Sequence, residues 1–334
     1  MNSNNPLPLI GITMGDAAGI GPEIVIKAIS GKEIEQNCRP VIIGDLSFLK
    51  KTAISIGSDL KLVEAAGDFS APEGSVPVVD LKNLPGTFEI GVDLAVTGKA
   101  SAEYIETAVR LWGEKRLAAI ATAPISKKAI SLGGYDFPGH TEFLAQLTGT
   151  REFAMSFFAD RLRVVLLSTH VSLRRAIDLV TRAKLVELIR FSHREISRLL
   201  KKEARLAVAG LNPHASEGGL FGNEEEDEII PAIGECRREH GIDVSGPFSP
   251  DTIFLRAFQG EFDGVISCYH DQATIAVKCL SFGASVNVTL GLPLIRTSVD
   301  HGTAFDIAGK NAADPSSMRA AIKLAAELVF VAEN

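Results

Sequence analysis

The sequence predicts an α/β protein built on a mainly parallel β-sheet. Short apolar runs alternate with longer amphipathic segments along the 334 residues, which is the pattern of repeated strand–helix units. Three of the apolar runs end in a histidine. At roughly 150 residues per domain, a chain of this length suggests two domains or one large one.

The predicted strands are apolar runs bounded by turn residues. They are Leu9 to Met14, Pro40 to Gly44, Val76 to Leu81, Leu117 to Thr122, the three histidine-terminated runs and Val286 to Leu290. Helices are predicted between them, with two over Leu173 to Lys202 and a last one that Asp314-Pro315 caps and begins. No repeat, low-complexity tract or linker interrupts this alternation.

Composition and charge exclude several classes of partner. The net charge of −7 and the pI of about 5.6 argue against nucleic acid, although a few cations and helix amino termini can still hold a phosphate. Met1 to Pro8 is polar, no basic residue precedes Lys27, and no apolar run approaches the ~18 residues of a membrane span. We therefore expect a cytoplasmic protein with no membrane partner.

The cysteine pattern agrees with a reducing compartment. Cys38, Cys236, Cys268 and Cys279 form no CxxC pair, which favours reduced thiols over a disulfide framework. Cys268 lies two residues before His270, so it is a conceivable metal ligand, but a small core residue is the better interpretation.

The histidine-terminated runs are the strongest functional signal in the chain. They are Leu162-Arg-Val-Val-Leu-Leu-Ser-Thr-His170, Arg205-Leu-Ala-Val-Ala-Gly-Leu-Asn-Pro-His214 and Gly264-Val-Ile-Ser-Cys-Tyr-His270. If the strands are parallel in one sheet, their carboxyl ends share one edge, where such sheets bind ligands, and the imidazoles converge. A lone histidine of this kind is more often a core residue, but three suit a catalytic divalent metal. Asp271 would then orient a ligand or accept a proton, unless it only caps a helix.

Two glycine-containing turns are further candidates for ligand contacts. Gly11-Ile-Thr-Met-Gly-Asp-Ala-Ala-Gly-Ile-Gly-Pro-Glu23 is neither a GxGxxG nor a GK[ST] motif, so a tight structural turn is the first interpretation and a ligand contact stays open. In Pro138-Gly-His-Thr-Glu-Phe143 we expect Thr141 to cap a helix, while His140 can reach a ligand from its loop.

Three polar residues near the carboxyl end of the chain indicate an anionic ligand. Lys278, Asn287 and Arg296 could each be solvated, but Arg296 lies in the apolar run Leu-Pro-Leu-Ile-Arg-Thr-Ser. An unpaired guanidinium is costly in such a setting, and an anion would satisfy it. The sequence therefore indicates a small phosphorylated or carboxylated molecule.

Together these motifs resemble the 4-hydroxythreonine-4-phosphate dehydrogenase family along nearly the whole chain. The matching runs are Gly15-Asp-Ala-Ala-Gly-Ile-Gly-Pro-Glu23, Pro138-Gly-His-Thr-Glu-Phe143, Ser168-Thr-His170, Leu211-Asn-Pro-His-Ala215, Tyr269-His-Asp-Gln272 and Asn287 to Ala304. One departure is Ala17, where the family usually has proline.

The resemblance implies an isocitrate/isopropylmalate dehydrogenase-like fold with two α/β/α lobes and an active-site cleft between them. The first lobe would be residues 1–136 plus 302–334, and the second, residues 137–301, would carry the metal ligands and a homodimer interface. It also implies that His170, His214 and His270 hold one divalent metal (Zn, Mg or Co), with His270 given by the partner subunit. Substrate contacts are implied for His140, Thr141, Lys278, Asn287 and Arg296, and acidic positions near the reacting centre for Asp251 and Asp271.

The segment His301-Gly-Thr-Ala-Phe-Asp-Ile-Ala-Gly-Lys310 is similar to the cofactor loop of isocitrate and isopropylmalate dehydrogenases. By that similarity NAD, with NADP as an alternative, is expected beside His301, Gly302, Thr303, Ala304 and Asp306. The usual Asn-Pro of those enzymes is Asp314-Pro315 here.

The implied reaction is oxidation of 4-phosphooxy-L-threonine with decarboxylation to 3-amino-2-oxopropyl phosphate, in pyridoxal 5'-phosphate biosynthesis. Related enzymes of similar sequence act on D-threonate or D-erythronate 4-phosphate, or on cis-dihydrodiols, and one sequence separates these poorly. A metal-binding solute receptor is the alternative from a different class.

Overall fold

The computed structural model describes residues 7–137, 139–281 and 283–333. Pro138, at the start of one of the motifs above, and the first six residues of the polar amino terminus lie outside the described residues. Within the described part, no helix is long and apolar enough to cross a membrane.

The chain divides into two compact units. The first unit contains the residues up to Arg151 together with Leu292–Glu333, and the second unit contains Glu152–Gly291. These boundaries differ from the expected ones after residues 136 and 301. The segment from residue 137 to Arg151 joins the first unit because Phe143 and Leu144 are buried in its core, and the segment after Leu292 joins it because Ile295 and its neighbours pair with the strand at Ala119.

The first unit is a parallel sheet flanked by helices. Its strands are β1 (Leu9–Thr13), β2 (Arg39–Gly44), β3 (Lys61–Glu64), β4 (Ser75–Asp80), β5 (Ala119–Thr122) and β12 (Ile295–Ser298), in the order β3-β4-β2-β1-β5-β12. Its helices are α1 (Gly21–Ile29), α2 (Lys32–Glu35), α3 (Leu46–Ser55), α4 (Ala95–Gly113), α5 (Lys127–Leu132), α6 (His140–Leu147) and α12 (Ser316–Glu333).

The strand order of the first unit identifies the place where a ligand is expected. After β1 the chain builds β2, β3 and β4 on one side, and then returns to place β5 on the other side of β1. Ligands of open α/β sheets bind outside the carboxyl ends of the strands at such a reversal. Thr13 ends β1 and Thr122 ends β5, so both lie at this edge.

The second unit is a mixed sheet with the histidine strands side by side. Its strands are β6 (Ala154–Ala159), β7 (Leu162–Leu166), β8 (Leu206–Ala209), β9 (Val244–Phe248), β10 (Gly264–Ser267) and β11 (Val286–Leu290), in the order β11-β6-β7-β10-β8-β9. Its helices are α7 (Leu173–Leu179), α8 (Arg182–Leu200), α9 (Ile230–His240), α10 (Ile253–Phe258) and α11 (His270–Leu280), with a 3-10 turn at Pro213–Glu217 and a π turn at Glu225–Ile229.

The structure confirms the α/β class, the mainly parallel pairing and most of the predicted elements. β10 pairs in parallel with both β7 and β8, so the three histidine strands end at one edge, and α7 and α8 divide the segment Leu173 to Lys202 as expected. The antiparallel strand β6 and the strands β3, β9 and β12 were not predicted. In β12 the buried Arg296 interrupts the apolar pattern that marks a strand.

Two glycines of α4 provide a test of how closely helices α4 and α5 pack. A Cβ at Gly98 would overlap the carbonyl group of Ala129 and lie 2.5 Å from the backbone nitrogen of Ile130, whereas a Cβ at Gly113 would meet nothing within 4 Å. We expect Gly98→Ala to lower the free energy of unfolding by at least about 2 kcal/mol, because backbone atoms must move apart. Gly113→Ala is the matched control and is expected to cause no loss. Urea unfolding measures both, and equal stability of the two variants would contradict the packing described.

Candidate functional site

The second unit holds the histidines expected to bind a metal. His170 follows β7, His270 begins α11 directly after β10, and their ring centroids are 5.9 Å apart. The Nδ1 atom of His270 lies 2.7 Å from Oδ1 of Asp271. Because a carboxylate can only accept, this contact places the ring proton on Nδ1 and leaves the lone pair of Nε2 for a ligand.

His214 lies apart from that pair in its own turn. It follows β8 in the 3-10 turn with a left-handed backbone (φ 54°), and its ring faces Phe221 at 6.2 Å between centroids. Among the described residues, no group of three His, Cys, Asp or Glu side chains within this one chain could hold a metal ion. Of the three imidazoles that were expected to converge, the described residues of one chain therefore bring two together, those of His170 and His270.

The donor chemistry of this edge fits a divalent cation that takes a further ligand from outside the single chain. Imidazoles are borderline donors suited to zinc or cobalt. Cys268 is no competitor, because it is fully buried, burial raises its pKa to about 12, and its Sγ contacts the carbonyl oxygen of Ala209 at 3.5 Å. The implied origin of His270 in a partner subunit stays a prediction, since His270 and His170 are neighbours within one chain.

The remaining residues expected in the second unit occupy different environments. Lys278 is exposed on α11, and Asp251 is exposed before α10, where it accepts a 2.5 Å hydrogen bond from the Ser249 hydroxyl. Asn287 lies on β11, and its Oδ1 is buried with no hydrogen-bond partner among the described residues. An orphaned buried carbonyl oxygen of this kind is costly, and a ligand that donates a hydrogen bond would satisfy it.

In the first unit, Arg296 is buried and forms hydrogen bonds with Thr122. The sequence did not predict this contact. Its side chain is 2% exposed, and Nε and Nη2 donate to Thr122 Oγ1 at 3.2 and 2.7 Å. The Thr122 hydroxyl in turn donates to the Thr297 carbonyl oxygen at 3.5 Å. Burial lowers the pKa of Arg296 to about 9, and the nearby Glu142 carboxylate opposes that shift, so the guanidinium remains a cation near neutral pH.

His140 and Thr141 belong to the helix next to this arginine. The helix α6 begins at His140 with Gly139 as its N-cap, so Thr141 is not the cap but a buried residue of the first turn. Burial, and then the charge of Arg296, hold the pKa of His140 well below its ordinary value of 6.5. Its Nε2 is buried without a hydrogen-bond partner among the described residues. A neutral imidazole beside a cation suits an anionic ligand that also offers a hydrogen-bonding oxygen.

The glycine-containing turn after β1 packs against the loop expected to bind NAD. A Cβ at Gly19 would lie 2.9 Å from Thr303, and the N–H of Ile20 donates to the Thr303 carbonyl oxygen at 3.0 Å. This close packing explains the glycine at position 19 without a ligand contact. Asp16 in the turn is fully buried, and burial raises the pKa of its carboxyl despite a 2.9 Å hydrogen bond from the Ala18 N–H.

The loop from His301 to Asp306 presents polar groups that a nucleotide could use. His301, Gly302 and Asp306 are exposed, while Thr303 and Ala304 are half-buried. Further along, Asp314 accepts from the Ser316 N–H at 3.0 Å, and α12 begins at Ser316, one residue after the proline that was expected to begin it. The exposed imidazole of His301 and carboxylate of Asp306 could form hydrogen bonds with a dinucleotide, so the loop is compatible with the implied cofactor.

The fold and these residues define an α/β enzyme with a cation and a neutral histidine suited to a small anion, and with paired imidazoles suited to a metal. The family model described as pyridoxal phosphate biosynthetic protein PdxA matches residues 36–325. The chain belongs to this family and is a dehydrogenase.

Relatives resemble the chain along almost its full length. A D-threonate 4-phosphate dehydrogenase of Cupriavidus necator is 46% identical over 325 residues, covering 96% of this chain and 97% of that protein. A 4-hydroxythreonine-4-phosphate dehydrogenase of Geobacter metallireducens is 43% identical over 330 residues, covering 98% and 97%. The crystal structure of a 4-hydroxythreonine-4-phosphate dehydrogenase from Burkholderia phymatum is 43% identical with a TM-score of 0.84, covering 97% and 99%.

The contact between Thr122 and Arg296 can be tested with a matched pair of threonines. Thr122→Val keeps the shape of the side chain and removes the oxygen that accepts from Arg296. We therefore expect the free energy of unfolding to fall by about 1–3 kcal/mol. We also expect inorganic phosphate to bind more weakly, because the guanidinium is no longer oriented by this contact. Thr13→Val is the control, because Thr13 ends the adjacent strand and its buried hydroxyl has no partner among the described residues. Urea unfolding and phosphate titration of both variants measure this, and a Thr122→Val protein indistinguishable from Thr13→Val would contradict the role.

Proposed function

We propose that this protein oxidises and decarboxylates a 4-phosphorylated 3-hydroxy acid of four carbons. The principal candidate is 4-phosphooxy-L-threonine, giving 3-amino-2-oxopropyl phosphate in pyridoxal 5'-phosphate biosynthesis. The observation that carries the proposal is the buried Arg296 next to the neutral His140, within a family of dehydrogenases. NAD as the hydride acceptor and a divalent cation that acidifies the substrate hydroxyl would supply the chemistry that side chains cannot.

The residues of the first unit are proposed to bind the phosphate and the dinucleotide. Arg296 supplies a desolvated positive charge whose direction is fixed by Thr122, and His140 and Thr141 supply hydrogen bonds. The loop residues His301, Gly302, Thr303, Ala304 and Asp306 are proposed to contact NAD. The Asp306 carboxylate is exposed, so it favours the ribose hydroxyls of NAD over the additional phosphate of NADP.

In the second unit we propose the metal ligands and two further substrate contacts. His170, His214 and His270 are the metal ligands, while Lys278 and Asn287 contact the substrate. Asp271 orients the ring of His270 through the 2.7 Å contact, which suits a supporting role better than proton abstraction. Asp251, whose exposed carboxylate is engaged only by Ser249 among its described contacts, is the remaining candidate for the proton acceptor.

D-threonate 4-phosphate is the second candidate substrate, and the similarity to the enzyme of Cupriavidus necator favours it. The two candidates share the phosphate, the carboxylate and the alcohol that is oxidised, and they differ at C2, where one has an amine and the other a hydroxyl. The receptor alternative fails, because the chain belongs to a family of enzymes.

The decisive assay is NADH formation with a panel of phosphorylated hydroxy acids. We expect turnover with 4-phosphooxy-L-threonine or D-threonate 4-phosphate, none with the unphosphorylated acids, and loss of activity with a chelator that Zn²⁺, Co²⁺ or Mg²⁺ restores. Replacement of Arg296 by lysine should raise KM for the phosphorylated substrate with less effect on kcat. Equal turnover of phosphorylated and unphosphorylated acids, unchanged by the chelator, would overturn the proposal.

A homodimer is proposed because an exposed apolar side chain accompanies each of the three histidines. Val171 follows His170 and is 45% exposed, Phe221 faces the His214 ring and is 45% exposed, and Ile275 on α11 is 63% exposed. Apolar groups of this size are usually covered by a partner when they cluster. A second copy is the occupant proposed here, since it would also supply the donor that a single chain lacks.

Mixing inactive variants tests whether the metal ligands come from two chains. If His270 crosses the interface, His170→Ala and His270→Ala chains that are mixed, unfolded and refolded should regain up to about a quarter of the wild-type activity, because half the dimers are mixed and one of their two sites is intact. A mixture of His214→Ala and His270→Ala chains tests whether His214, and not His270, comes from the other chain. Each variant refolded alone is the control. Absence of recovery in both mixtures would mean that each site uses a single chain.

A further inference from the structure

A buried carboxylate outside the proposed metal ligands is bonded to the backbone that carries His214. Glu225 is fully buried at the start of the π turn. Its Oε1 accepts from the N–H groups of Leu211 and Asn212, both at 2.7 Å, and its Oε2 accepts from Nδ2 of Asn212 at 2.8 Å. The described donors to Glu225 are all neutral, so an anion buried here is stabilised by three hydrogen bonds that converge on the residues just before His214.

The turn that Glu225 supports has an unfavourable backbone. His214, Ala215, Ser216 and Glu217 are consecutive left-handed residues, with φ between 47° and 65°. Each left-handed residue other than glycine costs about 1–2 kcal/mol, and runs of them are rare. Such a conformation persists only where surrounding contacts determine it, and strained turns of this kind are concentrated at functional sites.

A second buried side chain links the same turn to the helix of His270. Gln272 donates from Nε2 to the carbonyl oxygen of Gly210 at 2.7 Å and accepts from the Cys268 N–H at 2.8 Å. The end of β8 is also closely packed, since a Cβ at Gly210 would lie 2.9 Å from Cα of Ala215 and 3.2 Å from Oε1 of Glu225. The backbone before His214 is therefore held by Glu225 through two N–H groups and by Gln272 through the Gly210 carbonyl group.

We propose that Glu225 is a positioning residue, which fixes the turn of His214 so that its imidazole can act with His170 and His270 on one cation. The inference rests on the proposed metal site. Metal ligands must be held close to their final geometry, and loss of a group that supports them commonly weakens metal binding by about 10–100-fold. The carboxylate form matters, because it offers only acceptors to three converging donors, whereas an amide would direct an N–H group at one of them.

The test compares Co²⁺ binding and local exchange in matched variants. Glu225→Gln keeps the volume of the side chain, and we expect its affinity for Co²⁺, measured by calorimetry and by visible absorption, to fall about 10-fold or more. In the metal-free protein, hydrogen exchange of the amides of residues 211–219 should become faster. Gly210→Ala changes no charge and would place a methyl group against Ala215 in the same turn, so it should weaken Co²⁺ binding as well.

Glu195→Gln is the control for the loss of a buried carboxylate. Glu195 is 7% exposed on α8 of the same unit, where it binds Arg194 and Arg198. Its replacement should lower the thermal midpoint while Co²⁺ affinity and exchange at 211–219 stay at wild-type values. Wild-type Co²⁺ affinity or unchanged exchange in Glu225→Gln, with binding lost in His214→Ala, would overturn the role of Glu225 alone. Wild-type affinity in His214→Ala would overturn the proposed metal site and this inference with it.

Discussion

The parallel pairing of β10 with both β7 and β8 is the constraint on which the candidate metal site depends. Parallel strands end at the same edge of a sheet, so residues about a hundred positions apart in the chain, such as His170 and His270, become neighbours. The pairing fixes where the strands end but not where the side chains point. That second task falls to side chains outside the proposed ligands: Asp271 for the ring of His270, and Glu225 with Gln272 for the backbone before His214.

In the first unit, the corresponding constraint is the burial of the Arg296 cation. The Arg296 guanidinium donates to the hydroxyl of Thr122, and the Glu142 carboxylate opposes the lowering of its pKa that burial causes. The Thr122 hydroxyl orients the guanidinium, and burial, together with the charge of Arg296, holds the pKa of His140 well below its ordinary value. The two residues are thus electrostatically coupled.

The sequence was informative where a pattern is local and poor where a contact is distant. Apolar runs ending in polar residues located the histidine strands, and β11 has the predicted bounds Val286–Leu290. β12 was missed because a charged residue lies in its centre, and the role of Thr122 was invisible because its partner is 174 positions away. The helix α6 begins at His140 rather than after Thr141, because a glycine without a side-chain cap can start a helix and the sequence pattern favoured a capping threonine.

His270 and His214 of the second unit also differ in how their positions are determined. His270 is the first residue of a regular helix, and its ring is oriented directly by a neighbouring carboxylate. His214 has no comparable described contact to its ring nitrogens; its place is set through the backbone, by a strained turn that buried hydrogen bonds maintain. A ligand held by its ring can adjust with its helix, whereas a ligand held by its backbone is displaced whenever the turn relaxes. Occupancy of the proposed metal site would therefore depend most on the hydrogen bonds that hold the backbone before His214, although none of the proposed ligands takes part in them.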